Sequence, residues 1–379
     1  MSRTLLDDFR QLRVIHTESS HGWGGQEIRV LTESQQLISR GHEVVILADS
    51  DSLIAKRAHD YGVPVETLHL KKKRLKEIRS MIAAINRMKP DLISAHSSTD
   101  HWIVAVARLF TKCRPAVVRT RHVSAPIRRG KATRWLYRHG CEAIVTTGLS
   151  IKDHLTCDQF VETEKVSSVP TGIDLDFFRS RDQTVARDQI RKVVAVDSQA
   201  VLFGNIATLR SWKGQHDLIQ AFAIIASALP DAQLLIVGEG PQAESLIALT
   251  ASLKLSKRVL FAGHQKDVRD YFDALDVFVF PSYANEGVPQ AILQAMAYGL
   301  PIITTRAGSI EEAVSGYPAV TKITERDISG LAQAMLRAGK SQRCRNALNP
   351  AVRDRIDINR MADQMIAIYR QTRQSIFAR

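Results

Sequence analysis

A carboxylate and an amide eight positions apart could bind a polar ligand in the segment NEGVPQAILQAMAYG, residues 285–299. Glu286 precedes a Gly/Pro turn, and Gln294 lies on the helix that this turn predicts. Pro289 suits the first helical position, where its missing N–H costs nothing, and Gly299 suits the position after the last. Taken alone, the segment is a helix with either a solvated polar face or a ligand site at its start.

The start of this helix is predicted to bind an anion. The helix follows the apolar run DVFVFPS, so its N-terminus lies at the carboxyl end of a buried strand. Helix N-termini present unpaired N–H groups and the positive end of the helix dipole. Gly287 lets a ligand approach the backbone there.

A lysine lies at a second strand-to-helix junction, in LRSWKGQHDLIQAF. Lys213 can neutralise phosphate charge there, and Arg210, three residues earlier, can assist it. The segment is not a P-loop, because the spacing G-x-x-x-x-G-K-[ST] is absent. Two further turns, IVGEGP around Glu239 and FAGHQKDV around Gly263, end successive strands and bring backbone close to the same ligand site.

A glycine-rich turn follows the first strand of the chain, in HGWGGQE. Its glycines miss the dinucleotide-binding fingerprint, because Glu27 stands at the position of the third glycine, and the sequence therefore argues against NAD. Gly25 still opens a helix whose N–H groups can bind a phosphate or a sugar hydroxyl.

A histidine with four arginines around it follows another strand, in RTRHVSAPIRR. His122 could accept or orient a hydroxyl proton, and the neighbouring cations favour its neutral form. The alternative is a purely structural histidine. His96 and His101 are weaker candidates of the same kind.

The sequence predicts neither a metal site nor a disulfide. The acid pairs at residues 49–51 and 174–176 have ordinary loop composition. The four cysteines are scattered without a C-x-x-C pair, which favours reduced thiols in a cytoplasm.

The elements that must position these residues alternate between strands and helices in both halves. Strands separated by helices form parallel sheets covered on both faces, so the pattern predicts an α/β fold of two Rossmann-like, doubly wound domains facing across a cleft. In such sheets ligands bind beyond the carboxyl ends of the strands. The predicted strands are LRVIHTE, HEVVILAD, VPVETLHL, LISAHS, AVVRTRH and AIVTTG, then AVLFGNIATL, QLLIVGEG, RVLFAG, LDVFVF and LPIITT.

A polar stretch, PTGIDLDFFRSRDQTVARDQ, interrupts the pattern and is predicted to be a linker. We therefore place an N-terminal domain at residues 1–180 and a C-terminal domain at 181–362. The last apolar-periodic segment, about 363–379, predicts a helix that packs back onto the N-terminal domain.

The formal net charge of +13 is concentrated in one region. Residues 71–138 contain 18 Lys and Arg against three acids. Such a patch can meet an anionic membrane surface, a phosphorylated substrate or a nucleic acid, or it can be a solvated face. No apolar run approaches the roughly 20 residues of a membrane span, and the N-terminal segment lacks signal-peptide features, so the prediction is a cytoplasmic protein on the inner membrane face.

The motifs together resemble the family 4 glycosyltransferases of the GT-B fold, over nearly the whole chain. The resemblance is carried by the glycine-rich turn, the strand-end histidine, PTGID, KG, VGEGP and EGVPQAILQAMAYGLPIITTRAGSIEE, in that order. It implies retaining, metal-independent transfer of a sugar from a nucleotide-sugar donor to a lipid-linked or polyanionic glycan of the cell-envelope or lipopolysaccharide type. No cofactor is implied, because the nucleotide sugar is a substrate.

By position, the resemblance places His122 and Glu286 in the catalytic centre, where His122 contacts the transferred sugar and Glu286 binds its hydroxyls. It implies that Lys213 binds the donor diphosphate and that Gln294 binds the ribose. The donor-binding residues that it implies are Gly25, Arg210, Lys213, Glu239, Gly263, Gly287, Val288, Gln290 and Gln294.

The chain departs from the family pattern at two positions. Thr208 stands where members commonly have an arginine, and Arg210 is the candidate replacement. Gln294 stands where they have a second carboxylate, so the donor base and sugar stay open.

Two other functions stay open as well. A nucleotide-sugar epimerase could use the same fold. A nucleic-acid-binding module would use the basic region 71–138, which has four aromatic side chains to stack on bases.

Overall fold

The structure, a computed structural model, describes residues 11–179, 183–194, 196–197, 199–341 and 344–377. It divides into two compact units. The first unit runs up to Thr171 and resumes at Ile358, and the second is Gly172–Asp357. The boundaries predicted from the sequence are 180/181 and 362/363; the first of these lies outside the described residues.

A parallel sheet forms the centre of the first unit. Over the described residues it has seven strands in the order β3-β2-β1-β4-β5-β6-β7. The strands are β1 (Arg13–Glu18), β2 (Glu43–Ala48), β3 (Val65–Thr67), β4 (Leu92–Ala95), β5 (Ala116–Arg121), β6 (Ala143–Thr146) and β7 (Val166–Ser168). The helices between them are α1 (Gly25–Ser39), α2 (Leu53–Arg57), α3 (Leu75–Met88), α4 (Ser98–Ala107), α5 (Lys131–His139) and α6 (Leu149–Thr156).

The second unit has its own parallel sheet, with six strands found in the described part of the chain in the order β10-β9-β8-β11-β12-β13. The strands are β8 (Leu202–Ile206), β9 (Gln233–Val237), β10 (Val259–Gly263), β11 (Val277–Phe280), β12 (Ile302–Thr304) and β13 (Val320–Lys322). Its helices are α7 (Leu175–Arg179), α8 (Gln183–Val193), α9 (Gln215–Ile225), α10 (Ala243–Ser252), α11 (Arg269–Ala274), α12 (Gln290–Ala297), α13 (Ile310–Val314), α14 (Ile328–Lys340) and α15 (Pro350–Ile356).

Strands inside each sheet are buried and mostly apolar because helices cover both faces of the sheet. All four residues of β4 and all four of β11 are buried. A strand buried on both faces reads as a continuous apolar run rather than an alternating one. The predicted parallel, doubly wound sheets are therefore confirmed.

The last strand of each sheet, β7 or β13, was not predicted from the sequence. Both β7 and β13 have three residues and lie at a sheet edge. An edge strand is covered on fewer sides, so its sequence (VSS or VTK) carries no apolar run.

The predicted linker was wrong over much of its length. Residues 175–179 and 183–193 form α7 and α8. Phe178 and Ala186 from these helices are buried, and Arg187 and Arg191 donate to the carboxylate of Asp276. The polar composition that suggested a linker thus includes an arginine, Arg187, that binds the sheet.

A long helix, α16 (Ile358–Phe377), packs on the first unit. Its buried residues Met361, Met365 and Tyr369 share a core with Leu12 and Leu37. The Tyr369 hydroxyl donates to Glu33 of α1 at 2.6 Å. The final element of the chain therefore completes the core of the first unit.

Among the helices that the structure describes, none combines the length and the apolar character needed to cross a bilayer.

Candidate active site

The order in which strands are added to the second sheet reverses between β8 and β11. From β8 the chain proceeds outward through β9 to β10, and it then returns to β11 on the other side of β8 before continuing to β12 and β13. The loops after β8 and β11 consequently diverge at the carboxyl edge of the sheet. A topological switch point of this kind is where open α/β sheets bind ligands.

Lys213 and Glu286 meet at this switch point. Lys213 follows β8, Glu286 follows β11, and the Lys213 Nζ lies 2.7 Å from Glu286 Oε1. The two side chains are 17% and 6% exposed, so the pair is largely shielded but still reachable from solvent. The structure thus places a cation and a carboxylate side by side where a ligand is expected.

Hydrogen bonds fix both the backbone and the side chain of Glu286. The Ser282 hydroxyl donates to Glu286 Oε1 at 2.5 Å, and the Ser309 N–H donates to the Glu286 carbonyl at 3.2 Å. Gly308 has φ +60°, and a Cβ there would lie 2.1 Å from the Glu286 carbonyl oxygen. Only glycine permits this approach between the loops after β11 and β12.

The loop that carries Lys213 is fixed against the loop after β11. Gly214 has φ +75°, and a Cβ on it would lie 2.2 Å from the Pro281 carbonyl oxygen. The Tyr283 N–H donates to the Trp212 carbonyl at 2.9 Å. Lys213 Nζ lies 5.0 Å from the centre of the Phe280 ring, a distance at which a cation–π interaction stabilises the ammonium group.

Arg210 does not join the Lys213–Glu286 pair in this structure. Its exposed guanidinium lies over the Trp212 ring at 5.3 Å. Thr208, which stands where an arginine was expected, accepts from Arg210 N–H through its carbonyl at 3.0 Å.

Helix α12 begins one residue later than predicted, because Pro289 is its N-cap and Gln290 its first residue. The described residues provide no hydrogen-bond acceptor for the N–H groups of Gly287, Val288 and Gln290. Gln290 and Gln294 are both partly exposed on the helix. The start of α12 therefore offers unpaired donors next to Glu286.

Backbone hydrogen bonds connect the turns around Glu239 and Gly263 to this edge. The Gly238 N–H donates to the Gly263 carbonyl at 2.8 Å, and the Leu209 N–H donates to the Glu239 carbonyl at 2.9 Å. Gly263 has φ +65°, yet a Cβ on it would meet nothing within 4 Å. The Glu239 side chain is 62% exposed, so both residues border open space.

In the first unit, Gly25 is the exposed first residue of α1, at the carboxyl end of β1. A Cβ added to it would meet no atom within 4 Å. Packing within the unit therefore gives no reason for a glycine, and the open space in front of the α1 N-terminus can admit a ligand.

A buried acidic cluster that sequence reasoning missed lies beside this helix start. Glu18, at the end of β1, accepts hydrogen bonds from Ser97 at 2.5 Å and Gln26 at 2.5 Å. Burial, and then the charge of Glu18, raise the pKa of Glu27 to about 7. The same two causes raise the pKa of Asp100 on α4. A buried glutamate at the end of the strand RVIHTE was the available sequence signal.

His122 lies directly after β5 and is 9% exposed. Its Nε2 is 2.9 Å from Nδ1 of His96, and Nε2 of His96 is 2.8 Å from Nδ1 of His16 on β1. Burial lowers the pKa of all three imidazoles, and Arg29 and Arg119 lower the pKa of His122 further. The expectation of a neutral His122 is therefore supported, and His16 is a member of the site that the sequence did not indicate.

A separate cavity of about 470 Å³ opens in the first unit between the loops after β1, β2 and β3. Four cations line it together with a group of imidazoles and carboxylates. The lining side chains include those of His21, Asp49, Asp51, His69, Lys71, Lys72, Arg74 and Lys76. Asp49 accepts from Leu70 N–H at 3.0 Å and lies 3.1 Å from His69 Nδ1, so its charge is already engaged.

Family models match both units. Residues 186–355 match the model for glycosyl transferases group 1, and residues 23–177 match the model for Glycosyltransferase Family 4. The chain belongs to the family 4 glycosyltransferases. Its two Rossmann-like sheets give this glycosyltransferase the GT-B fold, and the predicted enzyme class is confirmed.

Two curated relatives and one solved structure indicate the range of similar proteins. N-acetyl-alpha-D-glucosaminyl L-malate synthase of Bacillus anthracis is 26% identical over 294 residues, 76% of this chain and 76% of the relative. UDP-Gal:alpha-D-GlcNAc-diphosphoundecaprenol alpha-1,3-galactosyltransferase of Escherichia coli is 27% identical over 296 residues, 73% and 75% of the two chains. Anabaena HepE, crystallised with UDP-glucose, has a TM-score of 0.77 at 18% identity over 97% of this chain and 100% of its own.

Proposed function

We propose that this glycosyltransferase moves a sugar from a nucleotide-sugar donor to a phosphorylated glycolipid or glycan of the cell envelope, with retention at the anomeric carbon and without a metal. The observation that carries the proposal is the Lys213–Glu286 pair beside the unpaired N–H groups of α12. A nucleotide-sugar donor is supported by the Escherichia coli relative, which is a UDP-Gal-dependent galactosyltransferase by name, and by HepE, which was crystallised with UDP-glucose.

The second unit is the proposed donor-binding half. Lys213 and the N–H groups of Gly287, Val288 and Gln290 provide positive charge for the diphosphate, and Glu286 provides acceptors for sugar hydroxyls. Gln294, eight positions further, is assigned to the ribose. Glu239 and Gly263 border the base, and Arg210 can leave the Trp212 ring to approach the phosphates.

The proposed chemistry breaks the bond between the sugar C1 and the diphosphate oxygen. Positive charge develops at C1 and negative charge on the leaving diphosphate, which Lys213 and the helix N–H groups stabilise. The acceptor hydroxyl forms its bond to C1 on the face that the diphosphate leaves, and its proton passes to a phosphate oxygen. Because Lys213 and these N–H groups supply the positive charge, the step needs no divalent cation.

The first unit is the proposed acceptor-binding half. Gly25 at the start of α1 and His122 are assigned to the donor phosphate and the transferred sugar. The 470 Å³ cavity is assigned to an anionic acceptor, because Lys71, Lys72, Arg74 and Lys76 surround it. Those cations also make the carboxylates of the cavity a poor site for a metal ion.

The basic region 71–138 is the proposed contact with an anionic membrane. Trp102 and Trp135 stack with ring centres 5.9 Å apart, and Lys73 Nζ lies 5.4 Å from the centre of the Trp102 ring. Leu75 and Phe110 are 62% and 68% exposed. Exposed tryptophan and apolar side chains among lysines suit the interface of an anionic bilayer.

Substitution at the ion pair tests the donor site. We expect Lys213→Met and Glu286→Gln each to lower the transfer rate by about 100-fold, because each removes an interaction formed with the developing charges or the sugar. Lys257→Met, at an exposed lysine of the same unit, is the control. The donor is first identified by thermal shift with UDP, GDP, ADP and CMP and their common sugars. Native-like turnover in both variants, at native melting temperature, would exclude this site.

Product analysis tests the stereochemistry and the metal requirement. We expect proton NMR of the product to show the same anomeric configuration as the donor, and turnover to persist after treatment with EDTA. Inversion, or loss of activity that Mg²⁺ restores, would contradict the proposed chemistry.

Vesicle sedimentation tests the membrane contact. We expect the chain to sediment with phosphatidylglycerol vesicles but not with phosphatidylcholine vesicles, and less at 0.5 M salt than at 0.05 M, because salt screens exposed charges. Replacing Lys71, Lys72 and Lys73 by serine should reduce sedimentation. Equal binding to both vesicle types would contradict an electrostatic membrane contact.

A further inference from the structure

Three histidines form a hydrogen-bonded row in the first unit. His16 lies on β1, His96 follows β4 and His122 follows β5, and these three strands are adjacent in the sheet. The nitrogen-to-nitrogen distances are 2.8 Å from His16 to His96 and 2.9 Å from His96 to His122. Exposure rises from 0% at His16 through 2% at His96 to 9% at His122, so the row opens to solvent at His122.

Neutral imidazoles make the two hydrogen bonds interdependent. A neutral ring has one N–H donor and one bare nitrogen acceptor. If Nδ1 of His16 donates to Nε2 of His96, then Nδ1 of His96 must donate to Nε2 of His122, and the remaining proton of His122 lies on Nδ1. If both bonds run the opposite way, Nδ1 of His122 is bare.

The closed end of the row decides between these two arrangements. Nε2 of His16 is buried and has no hydrogen-bond partner among the described residues. A buried N–H without an acceptor is rarer in proteins than an unpaired acceptor, so Nε2 is the bare nitrogen and Nδ1 carries the proton. Of the nearby Glu33 carboxylate, Oε1 accepts from Tyr369 at 2.6 Å, and Oε2 lies 3.9 Å from Arg29 Nε. Among the described residues, neither this Oε2 nor Nε2 of His16 has a hydrogen-bond partner, so the two are not bonded to each other.

We infer that His16 and His96 are positioning residues that hold His122 in its Nδ1–H tautomer, so that His122 meets the transferred sugar as a hydrogen-bond donor. The contact with the sugar rests on the proposed function, whereas the tautomer does not. A donor at Nδ1 can orient a sugar oxygen but cannot remove a proton from it. Of the two roles expected for His122 from the sequence, the row therefore selects orientation.

Nitrogen NMR of the ligand-free, full-length chain tests the tautomer. Two-bond proton–nitrogen spectra of protein labelled in the histidine rings distinguish a protonated from a bare Nδ1. We expect His122 to be neutral with its proton on Nδ1. A bare Nδ1 or a charged ring in the native chain would overturn the inference, and this measurement needs no variant beyond those used to assign the signals.

Two substitutions at His96 test how the row acts on His122. An asparagine amide occupies about the place of Nδ1, so His96→Asn keeps a donor for His122, whereas the glutamine amide in His96→Gln occupies about the place of Nε2 and leaves Nε2 of His122 unpaired. We expect His122 to keep its tautomer in the first variant and to become a mixture in the second. His42→Asn is the control, because His42 is buried in the same unit outside the row and accepts from Leu12 N–H at 3.2 Å. An unchanged tautomer in His96→Gln would overturn the positioning role.

Transfer kinetics test the consequence for the sugar. We expect kcat to fall roughly tenfold or more in His96→Gln, with His96→Asn closer to the native chain and the KM for the donor little changed in both. If the NMR result is as inferred but kcat is native in His96→Gln, the inferred contact of His122 with the sugar is contradicted, whereas the inferred tautomer of His122 is not. If Lys213 and Glu286 variants also turn over normally, the proposed donor site fails independently of the row.

Discussion

At the scale of single residues, the fold raises the pKa of Glu27. Glu27 is 5% exposed in the first turn of α1, and burial followed by the charge of Glu18 raises its pKa to about 7 from an ordinary value of 4.5. Below pH 7 the Glu27 carboxyl is mainly neutral, so it adds little negative charge at the start of α1. This favours the phosphate that we propose in front of Gly25.

Glu27→Gln is predicted to stabilise the chain at alkaline pH. Because the folded pKa is raised, the folded state binds more protons than the unfolded state between pH 4.5 and 7, and the native chain loses stability as the pH rises through that window. Glutamine removes this loss. We expect the free energy of unfolding of the variant to exceed the native value by roughly 2–3 kcal/mol at pH 8 and to approach it at pH 5.

Urea denaturation of the full chain at both pH values measures the difference. Glu43→Gln, at an exposed glutamate of β2, is the control variant. A gain in Glu27→Gln that is equal at pH 5 and pH 8 would show that ionisation of Glu27 is not its cause.

Single site residues could be predicted from the sequence, but most of their partners could not. Lys213, Glu286 and His122 follow strands, and a strand-end position is visible as the end of an apolar run. Glu286 and Lys213 are 73 positions apart, and their contact depends on β8 and β11 being neighbours although β9 and β10 lie between them in sequence. The contact between His16 and His96 spans 80 positions for the same reason.

At the scale of elements, α8 shows why a polar stretch can be mistaken for a linker. Its Arg187 and Arg191 each donate to the Asp276 carboxylate at 2.7 Å, and Asp276 also accepts from Leu202 N–H at 2.8 Å. The helix thereby contacts the β8 and β11 side of the sheet through charges. Polar composition indicates exposure only when the polar groups have no buried partner. Here the partner of Arg191 is Asp276, 85 positions away in the sequence.

Asp276→Ala is predicted to destabilise the second unit by about 3 kcal/mol. The Arg191 side chain is 3% exposed, and removal of the carboxylate takes away the counter-charge of that buried guanidinium. Calorimetry or denaturant titration of the full chain measures the loss. Asp188→Ala, at an exposed aspartate of the same helix, is the control and should change stability by less than about 0.5 kcal/mol. Similar losses in both variants would contradict a specific role for the Asp276 carboxylate.

At the scale of the whole molecule, the chain leaves the first unit and returns to it. The apolar clusters of the described residues each lie within one unit, and the first unit draws on both 11–171 and 358–377. The segments that enter and leave the second unit lie side by side, because the Ile173 N–H donates to the Ile356 carbonyl at 2.8 Å. The second unit is thus a continuous insertion whose two ends are close together.

This topology predicts which fragments fold. Residues 172–357 contain two complete clusters and should melt cooperatively when expressed alone, with the donor nucleotide raising the melting temperature as in the full chain. Residues 1–171 alone lack Met361, Met365 and Tyr369, so Leu12 and Leu37 would lose their cover. We expect that fragment to aggregate, and we expect a short Gly/Ser linker joining residue 171 to 358–379 to restore a soluble, cooperatively melting unit. Circular dichroism melts and sedimentation measure both outcomes; a cooperative melt of residues 1–171 near the temperature of the linked fragment would show that α16 is not part of the core of the first unit.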